Sequence, residues 1–191
     1  AARAYFSSRG RRRTTGSTTG STGGSTGGAT SGSASGSTDG RTGRHGLMLR
    51  LATVEDISEL YMMLQVMHSE TIDGTSPIDS EKLTSAINNA LHRGVVVVAE
   101  IDNKIVGSIG GMETSDWWSS EKYLADLFFF VYKEHRKSTI AVKLIKSFME
   151  IGKKANMKMK LGHVYSGDGD RKDKFYERLG FVKAGSLYTE A

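Results

Sequence analysis

Two short stretches hold residue types that could bind or transform a ligand. The first is Val131-Tyr132-Lys133-Glu134-His135-Arg136-Lys137-Ser138-Thr139-Ile140-Ala141, where an aromatic, strand-like run gives way to a helical pattern. A strand feeding a helix N-terminus presents backbone N–H groups with no intrahelical acceptor and the positive end of the macrodipole, which suits a phosphate. Arg136 and Lys137 add cationic charge there. The same residues also read as an ordinary basic connection, and locally both readings stand. The second stretch is Phe175-Tyr176-Glu177-Arg178-Leu179-Gly180-Phe181, a helix end closed by Gly and followed by an apolar residue. Alone it is a plain amphipathic helix terminus.

Other chemistries fall away. The chain has no cysteine, which excludes disulfides, thiolate zinc sites and an acyl-cysteine intermediate. Its five histidines show no HExxH or paired ligand spacing, so no metal is expected. Gly167 to Asp170 with Asp173 suggests a calcium loop but lacks the full EF-hand spacing and its closing Glu. No GxSxG nucleophile elbow is present.

The two stretches must be positioned by the elements around them. Met48 to Ala52 reads as a strand, Thr53 with Asp56 as a capping box, and Val54, Ile57, Leu60, Tyr61, Leu64 and Met67 as one face of a helix ending near Ser69. Asp79 or Ser80 caps a second helix bearing Leu83, Ile87, Ala90 and Leu91, with Gly94 as its stop. VVVVAEI and KIVGSIGGM flank Asp102 and Asn103, the pattern of an antiparallel hairpin. YLADLFFFV is a fourth strand, Ile140 to Ile151 an amphipathic helix and KMKLGHVY a fifth strand. Arg171 to Leu179 is a last helix, and Phe181 to Tyr188 a final strand or strand pair. The expected fold is α/β: a mixed central sheet with antiparallel N-terminal strands, a later βαβ crossover and helices on both faces.

Composition sets the boundary. From Thr14 to Gly40 every residue is Gly, Ser or Thr except Ala29, Ala34 and Asp39, too little apolar area to offset ordering entropy. Residues 1–46 are therefore expected to be a flexible, Arg-bearing arm or linker, and residues 47–191 the domain. The seven arginines before Met48, against Asp39, carry +6 of the formal net charge of +5, leaving the domain near −1. Nucleic acid is thus not expected to be the domain's partner, and only the arm offers it a weak contact. The opening AARAYFSSRGRRR reads either as a transit-like segment or as a processed terminus or fragment. No apolar run approaches the roughly 20 residues of a membrane helix, so no membrane partner and a cytoplasmic location are expected.

Taken together, the two stretches resemble the GNAT superfamily, the GCN5-related N-acetyltransferases, whose pyrophosphate loop follows an aromatic strand with the pattern R/Q-x-x-G-x-G/A. Arg136 matches its first position and Ala141 its last, and FYERLGF matches the family's FY-x-x-x-GF. Thr139 departs from the pattern where a Gly is usual. The resemblance implies an acyl-CoA N-acyltransferase-like fold and an acetyl-CoA-dependent enzyme that acetylates a primary amine of a small molecule, peptide or protein. It implies cofactor contacts at Val131, Arg136, Lys137, Ser138, Thr139, Ile140 and Ala141, with the pantetheine arm between splayed fourth and fifth strands. It also implies that Tyr176 is the acid for the departing thiolate, a reasonable role for a phenol.

Direct transfer further needs a base for the amine. Asp126 is the first candidate, because it alternates with Phe128 and Phe130 and a carboxylate among aromatics would have a raised pKa. Glu113 and His163 are rivals. The loops Thr71 to Pro77 and Ser115 to Ser120, the latter with Trp117 and Trp118, are expected to build the acceptor pocket. The tryptophans equally suit a cap on the sheet edge or a homodimer contact. The runner-up to an enzyme is a non-catalytic GNAT-like binding or display module tethered by the arm.

Overall fold

The computed structural model describes residues 46–71, 74–162 and 169–186. Strand β1 (Met48–Leu51) leads through a 3-10 turn (Val54–Asp56) into α1 (Ile57–Ser69). Next come α2 (Ser80–Arg93), β2 (Val95–Ile101), β3 (Lys104–Ser115), β4 (Lys122–Val131), α3 (Ile140–Lys154), β5 (Lys158–Lys160) and α4 (Gly169–Arg178). The described strands form one sheet in the order β1-β2-β3-β4-β5, antiparallel through β4 and parallel between β4 and β5.

The four consecutive valines show why the sheet is a middle layer. Val96 and Val98 pack with α1 and α2, while Val95 and Val97 pack with α3, so both faces of β2 are dry. Phe175, Tyr176 and Leu179 of the α4 segment pack on the α3 side. Asp102 and Asn103 take positive φ (52° and 59°), the backbone a two-residue hairpin turn requires between β2 and β3.

The start of the domain is fastened by charge. Arg50 on β1 donates to both carboxylate oxygens of Asp56 (2.7 and 2.9 Å) and to Glu100 on β2 (2.8 Å). Asp56 in turn accepts the Thr53 amide at 2.7 Å, and the Arg50 guanidinium holds its carboxyl below the usual carboxylate range. At the next boundary Asp79 caps α2 by accepting the Lys82 amide at 2.9 Å.

One irregularity matters for function. Gly110 pairs with Phe128 and Gly111 with Asp126, which leaves Leu127 as an extra residue, a β-bulge in β4. A bulge reverses which face each residue meets. Leu124 lies against α3, whereas Phe128 and Phe130 lie against α1 and α2. Asp126 pairs with Gly111, where an added Cβ would meet Phe148 of α3, so it shares the face of Leu124 and not that of the two phenylalanines. The expected alternation of Asp126 with Phe128 and Phe130 is corrected accordingly.

Two other expectations change. Among the described residues β5 pairs over Lys158–Lys160, Leu161 and Gly162 are not strand, and His163 to Tyr165 lie outside the described residues. No strand forms over residues 181–186, and Leu187 and Tyr188 lie outside the described residues too. The segment proposed as a flexible arm falls, but for Gly46, outside them as well.

Candidate active site

The junction between β4 and α3 is built to expose amides. The first helical hydrogen bond of α3 runs from Lys143 N to Thr139 O at 3.0 Å. The N–H groups of Ile140, Ala141 and Val142 precede it and have no intrahelical acceptor. Ser138 Oγ takes the Ile140 amide at 3.2 Å and donates to His135 O at 2.6 Å, shaping the approach. Ile140 itself is buried in the core beneath α3, so only its backbone faces this junction. Thr139 has φ −84° and ψ 3°, a conformation open to any residue, so the usual Gly is not demanded by the backbone. Its side chain is a question of room alone.

Arg136 does something the sequence did not suggest. Its Nε donates to Val131 O at 2.8 Å, its Nη2 pairs with Glu70 Oε2 at 2.7 Å, and its guanidinium lies 5.0 Å from the Phe130 ring centroid. The side chain therefore clamps the loop to the end of β4 and to the C-terminal end of α1. Lys137 is the exposed cation beside it. Glu70 carried no sequence signal for this role, since a contact across 66 residues leaves no local pattern.

Asp126 stands where β5 leaves β4, within electrostatic reach of Tyr176. Asp126 Oδ1 accepts the Gly162 amide at 2.9 Å, just beyond the last pairing of β5 at Ala125↔Lys160. Tyr176 packs edge-on to Phe175 (5.5 Å) and Phe181 (6.1 Å). Its burial, and secondly the charge of Asp126, push the phenol well above its ordinary value. Among the described residues, the outer edge of β4 from Asp126 to Val131, running toward the α3 N-terminus, pairs with no strand. Glu113 is not brought here: it pairs with Leu124 in register and its carboxylate is bound by Lys122. His163 lies outside the described residues.

Comparison with known proteins bears on this arrangement. Residues 92–183 match the family described as the acetyltransferase (GNAT) domain. This domain belongs to the GNAT acetyltransferase family. A sequence search of curated proteins found no match. Among solved structures, a predicted acetyltransferase with acetyl-CoA from Clostridium acetobutylicum is similar at TM-score 0.61 and 20% identity, over 76% of this chain and 96% of that one. A ribosomal-protein-alanine N-acetyltransferase from Brucella melitensis biovar Abortus 2308 matches at TM-score 0.58 and 16% identity, over 77% and 99%. An aminoglycoside acetyltransferase from an uncultured soil metagenomic sample matches at 0.57 and 15%, over 76% and 97%. At these identities the likeness is one of fold.

On the other face of β4 the GNAT domain has an apolar cleft of about 340 Å³ between α1, α2 and the bulge. Leu64, Met67, Leu83, Leu127 and Phe128 line it, and Pro77, from the expected α1–α2 loop, stands at its edge. The loop Ser115 to Ser120 does not reach this cleft. It lies at the start of β4, where Lys160 bonds Asp116 (2.6 Å) and covers the Tyr123 ring (3.9 Å). Trp117 and Trp118 pack edge-on against each other at 5.1 Å and are 91% and 68% exposed. The sequence did hold a signal for the bulge: adjacent glycines inside a strand mark a close approach. An added Cβ at Gly110 would lie 2.3 Å from the Phe128 ring, and at Gly111 2.3 Å from Ala125 O.

Proposed function

We propose that this GNAT domain moves an acetyl group from acetyl-CoA to a primary amine by direct transfer. The observation that carries the reading is a carboxylate, Asp126, within electrostatic reach of the buried phenol of Tyr176 where β5 parts from β4. The chain's residues fit a coenzyme A ligand in two respects. The α3 N-terminus holds amides without helical acceptors for a pyrophosphate, and the β4 edge beyond Ala125, which pairs with no strand among the described residues, offers backbone groups to an extended amide-bearing arm. When bound, acetyl-CoA supplies a thioester whose carbonyl carbon takes the amine nitrogen and whose C–S bond breaks.

Each residue then has a definable task. Within the loop Arg136 to Ala141 the amides of Arg136, Ser138 and Ile140 are engaged locally and shape it, those of Lys137, Thr139 and Ala141 hold phosphate, Lys137 adds charge, and Arg136 keeps the loop fixed to Val131 and Glu70. Asp126 takes the proton the amine sheds. Tyr176 holds its proton at any physiological pH, because burial and Asp126 raise its pKa, and it donates toward the departing sulfur. The two steps are coupled. Once Asp126 is protonated, the charge that helps raise the Tyr176 pKa is gone, and the phenol becomes the better donor. A metal-free reaction and a cytoplasmic setting belong to this proposal. Among the described residues no cluster suits a metal, and no helix is long and apolar enough to cross a membrane.

Two measurements test the reading. Tyr176→Phe should lower kcat by about 10²-fold, the usual share of a general acid, while the acetyl-CoA Kd from calorimetry stays unchanged. Unchanged turnover would remove Tyr176 from the reaction. Absence of acetyl-CoA binding at millimolar concentration would replace the enzyme by the non-catalytic module.

A further inference from the structure

Trp117 and Trp118 stand exposed on the turn between β3 and β4, at the end of the sheet opposite the α3 N-terminus. They are the only tryptophans in the chain. Two adjacent indoles left in water mark a surface that meets a partner. The turn is held in shape before any partner arrives. Asp116 O accepts the Ser119 amide at 3.1 Å, and Ser119 Oγ accepts the Glu121 amide at 3.0 Å. The Asp116 carboxylate takes the Tyr123 hydroxyl at 3.0 Å and Lys160 at 2.6 Å. Docking through this turn therefore costs little ordering entropy.

The turn borders a broad cleft of about 840 Å³, which Ser120 and Glu121 help to line. Arg93, Lys122, Lys153 and Lys158 line it against Glu113 and Glu121, four cations to two carboxylates. That excess of +2 sits in a domain near −1, so the remainder of the domain is near −3. Lys122 pairs with Glu113 and Lys158 with Glu121, both at the surface, where such pairs hold weakly and exchange for other anions. Arg93 and Lys153 have no ion-pair partner among the described residues. Each stands in the last turn of a helix, whose dipole it offsets, and each stays exposed to a second anion.

The chemistry chooses among occupants. In the centre of a protein interface the ammonium groups beside the indoles would lose their water, and Lys is depleted there, whereas at a lipid headgroup layer they stay hydrated. The two rings are nearly perpendicular (89°, centroids 5.1 Å apart), so they offer no parallel platform to successive bases of a nucleic acid. Trp is the side chain that settles at a bilayer interface, with an apolar body and a wet N–H.

We propose that the domain docks by this end on an anionic bilayer, with Trp117 and Trp118 in the headgroup layer and the cations of the cleft on lipid phosphates. An excess of two charges is a weak hold alone, so the tryptophans supply the larger share. Lys153 lies about 20 Å along α3 from its first residue, so the docked domain keeps its cofactor loop in water. No spanning helix is required, and the expectation of no membrane partner, which rested on the lack of one, is revised. The inference stands apart from acetyl transfer and holds for the enzyme and for a non-catalytic module alike.

The test uses the full chain and its own fluorescence, which reports on these two residues alone. On titration with phosphatidylcholine vesicles containing about 30% phosphatidylserine, the emission should move to shorter wavelength and be quenched by brominated acyl chains. Pure phosphatidylcholine should bind more weakly. Trp117→Ser and Trp118→Ser, each leaving one reporter at an exposed site, should lower vesicle partition by about ten-fold. Lys153→Gln should lower it by about five-fold, the worth of one basic residue at an anionic surface. Vesicle binding with unshifted emission and no response to the Trp variants would assign the contact to the N-terminal arginines and overturn the proposal. So would emission that responds to single-stranded DNA but not to vesicles, which names a nucleic acid. Emission already at short wavelength in vesicle-free buffer would mean that the pair is covered within the chain or by a second copy, and sinks it equally.

Discussion

At the scale of single residues, the site divides into groups that touch ligand and groups that hold others in place. Arg136 belongs to the second kind, since Val131 O, Glu70 and the Phe130 ring already engage its guanidinium. Arg136→Met should therefore weaken acetyl-CoA binding by loosening the loop, by about 3- to 10-fold in Kd, the loss of a charged hydrogen bond partly offset by water. Glu70→Gln should show a smaller effect in the same direction, because the bond to Val131 O survives. A titration of both variants checks the order; equal or reversed effects would return Arg136 to the role of a direct phosphate ligand. For Asp126→Asn, kcat/KM should fall by about 10²-fold, and the fall should shrink as the pH is raised and free amine becomes abundant. Pattern reading singled out Arg136, Tyr176 and Asp126 as candidates because each sits in a recognisable run. It misassigned what surrounds Asp126, since the bulge that turns it depends on two glycines fitting a phenylalanine ring and a helix across the sheet.

At the scale of elements, the sheet's defect and its anchor can be tested separately. Gly111→Ala puts a Cβ 2.3 Å from the Ala125 carbonyl and 2.5 Å from the Phe148 ring, and a backbone neighbour cannot swing aside. Overpacking of this kind should cost about 1–3 kcal/mol in chemical denaturation. The cost should come with lost turnover, because β4 must shift at the bulge. The anchor is Asp56, whose Arg50 and Thr53 partners favour its charged form. Asp56→Asn should lose about 1.5–3 kcal/mol at neutral pH, the worth of hydrogen bonds to a charged group. The sign with pH follows from the lowered pKa. The stabilisation is complete above the ordinary value of 3.8 and disappears as the pH falls through the lower folded value, so wild type and variant should converge in acid. Helix limits, the hairpin and the order of elements were legible because each has a local cause, such as Asp79 at a cap or Asp102 and Asn103 in left-handed backbone. The extents of β5 and of the segment after Gly180 were not. Alternation from Lys158 onward says that a strand is permitted, whereas the described pairing ends at Ala125↔Lys160, beyond which Asp126 takes the Gly162 amide with its side chain.

At the scale of the whole molecule, charge and apolar area are distributed so unequally that the chain divides in two by composition. The folded layers draw on side chains from Leu47 onward, and β1 is already paired with β2 at Met48↔Glu100. Its place is held by that register and by Arg50. Residues 1–46 carry +6 and little apolar area, so by composition they are expected to add charge and not core. Removing them should leave Tm within about 2 °C, less than the shift that 1 kcal/mol produces in a domain of this size. It should also leave acetyl-CoA Kd and kcat unaltered, while lowering the isoelectric point and abolishing retention on a polyanion column at low salt. Five or six phosphate contacts would give the intact chain a steep salt dependence, and the truncated domain near −1 should show almost none. A fall in Tm of several degrees on truncation would mean that the arm packs on the domain, and the boundary at Leu47 would have to move toward the N-terminus.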